Sequence, residues 1–361
     1  MTLALIVVTG SAQEQKPASR PPNVEIPGTH LLKIRSAIVG QDYDLMINLP
    51  RNYRDTTRAF PVLYLLDAQW DFPLVNAVFG EQYYDGFVPE IVTVGIAWGG
   101  KNPNYDSLRV RDLTPTTIKQ APQSGKAPRF LEFIKKELIP FVESRYRTVR
   151  DDRTLMGSSL GGLFTLYALF HETGLFSRYV LTSPSLQWDN EIASSYEKSY
   201  AAKSSQLPVR LFMAMGELEP GVTGFQKFVD QIKGRNYKDL DLQSRLLEGT
   251  GHSASKAEGY SRGLQAVFTR PSLKIDPAIL QSYVGKYQVT PEISVQILKE
   301  NDRLALLGPE GMKFTLYAET ERDFYVKGIY LFLRFQKSDA GKVTGCQVEQ
   351  FQGGAFVKKV E

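Results

Sequence analysis

The sequence is poor in the two residue types that most often build disulfides and metal centres. Its 361 residues include one cysteine, Cys346, and only three histidines, His30, His171 and His252. A single cysteine excludes an internal disulfide and a cysteine-based metal site. Any imidazole chemistry therefore has to use one of three side chains.

Long apolar runs and a large excess of one charge are also absent. No run of 18 or more apolar residues occurs in the sequence, so it predicts no transmembrane helix. The 43 Lys and Arg residues are nearly balanced by 39 Asp and Glu residues, and they do not cluster. This balance does not favour a nucleic-acid partner. The length suffices for one large domain and a small one.

The first residues resemble the end of a secretory signal peptide. A short apolar run, Leu3 to Val8, is followed by small residues up to Ala12 and by a polar, proline-rich stretch. A charged segment before the apolar run is missing, although signal peptides usually have one. We interpret residues 1–27 as a signal-like segment and expect a periplasmic or secreted protein, with the cytoplasm as the alternative.

Residues 28–270 alternate strand-like and helical patterns. The runs Phe60–Leu66 and Ile91–Ala97 are almost continuously apolar, which is typical of strands buried on both faces of a parallel sheet. Apolar residues recur at helical spacing from Phe130 to Tyr146. The alternation predicts an α/β domain, a mostly parallel sheet flanked by helices.

The pattern changes at Pro271. After a linker that contains Pro271 and Pro277, eight short candidate strands alternate with turn sequences such as Gly353-Gly354. Many short strands with regular turns indicate a small antiparallel barrel. We therefore predict a second domain over residues 271–361.

The sequence Gly157-Ser158-Ser159-Leu160-Gly161 contains the pattern Gly-x-Ser-x-Gly. A short strand-like run precedes it and an apolar helical run, Leu160 to Phe170, follows it. This context is that of a nucleophile elbow, a tight turn that exposes a serine above a sheet. Only Ser159 has glycine both two residues before and two residues after it. Ser159 is therefore the predicted nucleophile.

A serine hydroxyl needs a base within hydrogen-bond reach and an acid that orients the base. His171 follows Ser159 by twelve residues on one predicted helix, roughly 18 Å away, which is too far. His30 precedes the first strand. His252 follows the last strand of the predicted parallel sheet, where loops carry catalytic groups. His252 is therefore the predicted base.

The orienting acid is expected after the preceding strand, Val209–Met215. That strand ends in Gly216-Glu217-Leu218-Glu219-Pro220, so two carboxylates compete. Glu219 lies at the tip of the loop and is favoured, whereas Glu217 is the alternative.

Two backbone N–H groups are expected to form an oxyanion hole. One is the N–H of Leu160, directly after the nucleophile. The other is expected in the loop after Phe60–Leu66, where Gln69 is the preferred donor.

These segments resemble the esterase D-like branch of the α/β-hydrolases. That branch includes ferric-siderophore trilactone esterases, feruloyl and acetyl-xylan esterases, S-formylglutathione hydrolases and mycolyltransferases. The matching segments, within residues 30–270, are Pro61-Val62-Leu63-Tyr64-Leu65-Leu66-Asp67, Arg111-Asp112-Leu113-Thr114-Pro115, Gly157 to Gly162, Gly216 to Glu219, and Gly251-His252-Ser253. The resemblance implies a triad of Ser159, Glu219 and His252 and supports Gln69 and Leu160 as oxyanion donors. Ala68 departs from it, because the family often has glycine there.

The C-terminal part resembles, more weakly, the lipocalin-like barrel appended to some bacterial serine hydrolases. The marks are Tyr283-Val284-Gly285-Lys286-Tyr287 and Asp323-Phe324.

Substrate selection is expected in the segment from Trp98 to Arg129, which lacks strong periodicity. The candidate substrate-binding residues are Trp70, Trp98, Tyr105, Arg109 and Arg111. Aromatic rings beside arginines fit an anionic or phenolic acyl group, such as a ferulate or a catecholate siderophore. As an alternative, Arg111 and Asp112 form a purely structural pair.

The sequence thus predicts a serine hydrolase of carboxylic esters that uses neither a metal nor another cofactor and acts on a small-molecule or oligosaccharide ester. An acyltransferase that uses the same acyl-enzyme and a non-catalytic ligand-binding module are the alternatives. The physiological ester, the role of the barrel and the oligomeric state are left open.

Overall fold

The computed structural model describes residues 25–51 and 53–361, so most of the predicted signal-like segment, residues 1–24, lies outside the described residues. Export therefore stays a prediction. The described chain forms an eight-stranded sheet flanked by helices and then a closed eight-stranded barrel. The predicted fold class, an α/β sheet followed by a small antiparallel barrel, is confirmed. None of the helices in these residues combines the length and apolar composition that crossing a bilayer requires.

The first sheet is mostly parallel. Its strands are β1 (Thr29–Arg35), β2 (Asp42–Asn48), β3 (Phe60–Leu65), β4 (Val92–Trp98), β5 (Thr148–Ser158), β6 (Arg178–Thr182), β7 (Arg210–Gly216) and β8 (Asp241–Leu247). They are ordered β1-β2-β4-β3-β5-β6-β7-β8. The pairs β1–β2 and β2–β4 are antiparallel, and every other pair is parallel. The carboxyl ends of β3 to β8 therefore meet along one edge.

Helices cover both faces of this sheet. They are α1 (Ala68–Tyr84), α2 (Tyr105–Leu113), α3 (Ala127–Phe133), α4 (Ile139–Glu143), α5 (Leu160–His171), α6 (Ile192–Ala201), α7 (Val222–Gly234) and α8 (Ser255–Val267). A π-helical turn, Ile134–Leu138, joins α3 to α4. One apolar core contains Phe72 of α1 and Tyr260 of α8, and another contains Phe130 of α3 and Phe164 of α5. This arrangement brings the amino ends of α1, α5 and α8 to the carboxyl edge of the strands.

Helix α2 lies in the segment from Trp98 to Arg129, for which the sequence predicted no helix or strand. The Asn104 side chain accepts a hydrogen bond from the N–H of Ser107 at 3.0 Å and so caps the helix. Only Asp112 and Leu113 of this helix are buried. A helix with so few buried residues has no apolar stripe, and hydrophobic periodicity does not reveal it.

The barrel contains all eight strands that the sequence predicted. They are β9 (Gly285–Gln288), β10 (Ser294–Glu300), β11 (Arg303–Leu307), β12 (Lys313–Ala318), β13 (Asp323–Tyr325), β14 (Leu331–Lys337), β15 (Val343–Gln350) and β16 (Gly353–Lys359). Neighbouring strands pair antiparallel, and β16 pairs with β9 to close the circle. A short helix, α9 (Pro277–Tyr283), occupies part of the predicted linker. The Asp276 carboxylate caps it by accepting a hydrogen bond from the N–H of Ala278 at 2.7 Å.

The barrel packs against the edge of the sheet opposite the carboxyl ends of its strands. At the carboxyl end of α1, the Tyr83 ring lies 5.2 Å from that of Tyr330, and the Tyr84 ring lies 4.8 Å from that of Phe351. Arg270, after α8, pairs with Glu319 at 3.1 Å. Because α1 begins at the carboxyl edge and runs back across the sheet, these contacts place the barrel away from that edge. The predicted domain boundary at residue 271 falls between α8 and α9.

Candidate active site

Ser159 lies at a sharp turn between β5 and α5. Its backbone angles, φ 58° and ψ −117°, are rare for a residue with a side chain and cost about 1–3 kcal/mol. The turn also needs small neighbours: a Cβ atom on Gly157 would lie 2.7 Å from the carbonyl group of Gly161. The two glycines therefore allow the close approach of strand and helix that holds Ser159 at the carboxyl edge, beside the positive end of α5.

The loops after β7 and β8 bring a carboxylate and an imidazole into contact. The Nδ1 atom of His252 lies 2.6 Å from Oε2 of Glu219. The Glu219 side chain is buried, at 7% exposure, whereas that of His252 is 51% exposed. A carboxylate can only accept hydrogen bonds, so Nδ1 carries the proton and Nε2 is left as the acceptor. This is the tautomer that a general base requires.

The other oxygen of Glu219 is fixed by two further donors. Oε1 accepts a hydrogen bond from the N–H of Gly216 at 2.9 Å and another from the Ser183 hydroxyl. Glu217, the competing carboxylate, turns away and accepts a hydrogen bond from the N–H of Gly249 at 3.0 Å. Glu219 is therefore the carboxylate that contacts His252, and Glu217 supports the loop that carries this histidine.

Ser183 and Ser255 were not identified from the sequence. The Ser183 hydroxyl, which donates to Glu219, lies 2.6 Å from that of Ser255, the first residue of α8. The sequence signal was the run Ser183-Pro184-Ser185 directly after β6, which is a loop position of the same kind as that of Glu219. Such a loop can supply a hydroxyl donor as well as an acid, and this donor was not predicted.

The structure brings Ser159 to the same edge as His252 without a direct hydrogen bond between them. Among the hydrogen bonds of residues 25–51 and 53–361, the Ser159 Oγ atom has Ser185 Oγ as its partner, at 3.4 Å. Catalytic hydrogen bonds are often long or poorly aligned until substrate binds. The ring of His252 is half-exposed and lies on a loop, so a rotation of this side chain changes the position of Nε2.

The two predicted oxyanion donors lie at the amino ends of α5 and α1. Leu160 is the first residue of α5 and Gln69 the second of α1, so neither N–H has an acceptor within its own helix. A Cβ atom on Gly161 would lie 3.3 Å from the Asp67 carboxylate, which shows that the two turns adjoin.

Strand β4 accommodates Ala68, the residue that differs from the glycine common in the family. A Cβ atom on Gly95 would lie 2.7 Å from the methyl group of Ala68, so Gly95 leaves room for this methyl group.

Asp71 ties α1 to α8. Its buried carboxylate accepts hydrogen bonds from Lys256 and from the Tyr260 hydroxyl, each at 2.7 Å. Burial raises the pKa of Asp71, and the bond to Lys256 opposes this shift. The helix that carries Gln69 is thereby held against the helix that follows His252.

Three of the predicted substrate-binding residues lie together beside the elbow. The Arg109 guanidinium lies 5.7 Å from the centre of the Trp70 ring, and the Tyr105 ring meets the same ring edge-on at 6.0 Å. Trp70 is 46% exposed. This aromatic and cationic cluster of Trp70, Tyr105 and Arg109 is accessible to a ligand.

The prediction was wrong for Trp98, which is 2% exposed. Its indole N–H donates to the buried carboxylate of Asp112 at 2.7 Å, so the side chain is enclosed. Arg111 donates to the same carboxylate at 2.7 Å, which is the structural pairing considered as its alternative role. Both side chains fix the segment that carries α2.

Arg109 also supports the turn that carries Gln69. Its Nε and Nη2 atoms donate to the two oxygens of Asp67 at 3.0 and 2.9 Å. Asp67 is 2% exposed, so its carboxylate would be costly to leave unpaired. We expect Arg109→Met to lower the free energy of unfolding by about 3 kcal/mol. We also expect kcat for a simple ester to fall about ten- to a hundredfold, because the oxyanion turn is displaced.

Thermal unfolding and steady-state kinetics on one ester measure these two effects. Arg35→Met is the matched control, because Arg35 pairs with Asp42 at 2.9 Å on an exposed surface. We expect that control to change the free energy of unfolding by about 1 kcal/mol or less. Unchanged kcat in Arg109→Met would show that the pair does not position the turn.

Comparison with known proteins agrees with this geometry. The mostly parallel sheet and the strained serine turn define an α/β-hydrolase. Residues 36–242 match the model of the family described as "Putative esterase". The match spans more than half of the chain, which therefore belongs to this esterase family and is a carboxylic ester hydrolase.

Two relatives with known names are also esterases. The chain is 30% identical over 217 residues to ferri-bacillibactin esterase BesA of Bacillus subtilis, covering 54% of this chain and 72% of that protein. It is 30% identical over 177 residues to the siderophore triacetylfusarinine C esterase of Aspergillus fumigatus, covering 47% of this chain and 60% of that one.

A solved structure, the BES protein of Bacillus cereus, superposes with a TM-score of 0.63 at 25% identity, covering 70% of this chain and 99% of that one. An IroE-like serine hydrolase of Shewanella oneidensis gives 0.59 at 27% identity, with 66% and 80% covered.

Proposed function

We propose that the protein cleaves its ester through an acyl-enzyme, with Ser159 as nucleophile, His252 as general base and Glu219 as orienting acid. The observation that carries this proposal is the 2.6 Å contact between His252 Nδ1 and Glu219. It leaves Nε2 free of a proton at the edge where the elbow presents a serine. Ser159 Oγ attacks the ester carbonyl carbon while Nε2 takes its proton.

Two charges develop during this attack, a positive one on His252 and a negative one on the carbonyl oxygen, and both are stabilised. Glu219 lies against the imidazolium that forms, and the N–H groups of Leu160 and Gln69 receive the carbonyl oxygen as it becomes negative. The imidazolium then protonates the leaving alcohol, and the C–O bond of the ester breaks. Water, deprotonated by the same nitrogen, attacks the acyl-enzyme and releases the acid and Ser159.

We further propose a siderophore-type ester as the substrate. The relatives at 30% identity are named as esterases of ferri-bacillibactin and of triacetylfusarinine C. Beside the elbow, the exposed Trp70 ring, Tyr105 and the guanidinium of Arg109 form a surface for a flat, electron-rich group. A catecholate ester has groups of this kind next to its carbonyl carbons.

A panel of esters tests this substrate class. The members are a catecholate trilactone with and without iron, methyl ferulate, acetylated xylan and p-nitrophenyl acetate. We expect the highest kcat/KM on a trilactone, about tenfold or more above methyl ferulate, because remote binding energy lowers the barrier. A higher kcat/KM on ferulate or xylan would reject the siderophore proposal and keep the esterase. Product analysis with and without an added alcohol acceptor distinguishes hydrolysis from acyl transfer.

A further inference from the structure

The interior of the barrel is packed at one end and contains a cavity at the other. Helix α9 packs onto the end where β9 begins: Leu280 is 1% exposed, and the Tyr283 ring stacks on Phe335 at 4.1 Å. At the opposite end a cavity of about 550 Å³ lies between the strands. This volume is within the range of roughly 300–1,000 Å³ that is typical of small-molecule pockets. We call this cavity the barrel chamber.

The walls of the barrel chamber are apolar and carry no charge. Among the residues that form them are Val295, Ile297, Leu306, Phe314, Leu333 and Val357. The polar side chains among the lining residues are the hydroxyl of Tyr287, which donates to the carbonyl oxygen of Tyr283, the thiol of Cys346, and two glutamines, Gln350 at the end of β15 and Gln352 in the turn that follows. Burial raises the pKa of the Cys346 thiol to about 12, so this side chain is neutral at physiological pH.

Small residues and an exposed apolar rim distinguish this end of the barrel. Strand β16 begins with Gly353, Gly354 and Ala355, which carry no side chain or only a methyl group. A Cβ atom on Gly353 would meet nothing within 4 Å, so space is left between the walls there. At the rim, Val289, Ile293 and Met312 are 44–53% exposed although they are large and apolar. A continuous apolar surface that leads from solvent into a cavity marks a binding site rather than an imperfection of packing.

We propose that the barrel chamber binds a small amphipathic molecule, whose apolar body, such as a medium-length acyl chain, enters the chamber while its polar group stays at the rim. The uncharged walls exclude a buried charge, because no side chain there can pair with one. Two turns of an α-helix occupy roughly 800 Å³, from a diameter of about 10 Å and a pitch of 5.4 Å, so a peptide helix is too large. A slender chain fits.

This site is separate from the ester site. Every residue of the chamber belongs to the barrel, which packs on the edge of the sheet opposite Ser159. The inference therefore does not depend on the proposed hydrolysis, and a variant of the chamber can lose binding while esterase activity is unchanged.

Two adjacent residues of β10 provide a matched pair of variants. Val295 lines the chamber, whereas Gln296 is exposed on the outer face of the same strand. In the full-length protein, we expect the uncharged fluorophore N-phenyl-1-naphthylamine to bind and decanoate to displace it. Val295→Trp fills the chamber and should weaken binding about tenfold or more, whereas Gln296→Trp should bind as wild type does. Hydrolysis of p-nitrophenyl acetate should be the same in all three proteins.

A second inward variant guards against misfolding. Ala355→Leu reduces the chamber from β16, and thermal unfolding of each variant shows whether the barrel is intact. Loss of binding in both inward variants, with cooperative unfolding, supports the chamber. The proposal is overturned if wild type does not bind the fluorophore, or if Val295→Trp and Gln296→Trp have equal affinities. It is also overturned if wild type binds phosphatidylcholine vesicles but neither fluorophore nor decanoate, which would make the rim a membrane contact.

Discussion

Replacing Ser159 by alanine is expected to lower kcat for ester hydrolysis by about 10⁴–10⁶-fold. The reason is that no other nucleophile occupies the elbow: Ser158 is 2% exposed at the end of β5, and Ser185 lies in the loop after β6. What activity is left comes from the oxyanion donors and from substrate binding alone. Steady-state kinetics on p-nitrophenyl acetate, with circular dichroism to verify folding, measure this effect.

Covalent labelling gives an independent test of the same residue. A fluorophosphonate should add to wild type and to Ser158→Ala at a single site, and it should not add to Ser159→Ala. Because the Ser158 hydroxyl is buried, its removal should leave kcat within about threefold of wild type. Labelling of folded Ser159→Ala, or no labelling of folded wild type, would show that Ser159 is not the nucleophile.

Glu219→Gln is expected to lower kcat by about 10³–10⁴-fold with little effect on folding. The glutamine has the same shape, and its oxygen can still accept the hydrogen bond from the Gly216 N–H. Its NH₂ group then points at His252 Nδ1 and donates to it. This moves the imidazole proton to Nε2, so the ring can no longer accept the proton of Ser159.

Glu217→Gln is the matched control on the same loop. Glu217 accepts a hydrogen bond from the Gly249 N–H, and a glutamine oxygen can keep it, so we expect kcat within about threefold of wild type. Kinetics of both variants, measured between about pH 6 and 9, separate a changed base from a changed fold. If Glu217→Gln proved to be the inactive variant, the contact seen between Glu219 and His252 would not be the catalytic one.

The sheet and the barrel were predictable because their strands are marked by local patterns. The continuous apolar run Phe60–Leu65 and the short, turn-separated strands after Pro277 are both recognisable from residues that are neighbours in the sequence. The elbow was found for the same reason, since its glycines stand two residues on either side of Ser159. Helix α2 was missed because few of its side chains are buried. Helix α9 was missed because Pro277 was assigned to the linker, although proline is favourable at the first position of a helix.

The sequence by itself determined the fold class and the position of the elbow, and it limited the base to three histidines and the acid to two glutamates. Only the tertiary structure decided that Glu219 rather than Glu217 meets His252, that Asp112 engages Trp98 and Arg111, and that a cavity lies at one end of the barrel. The physical reason is that the sequence patterns depend on neighbours along the chain. A hydrogen bond between loops that follow different strands, or the space left between eight strands, depends on how distant segments pack.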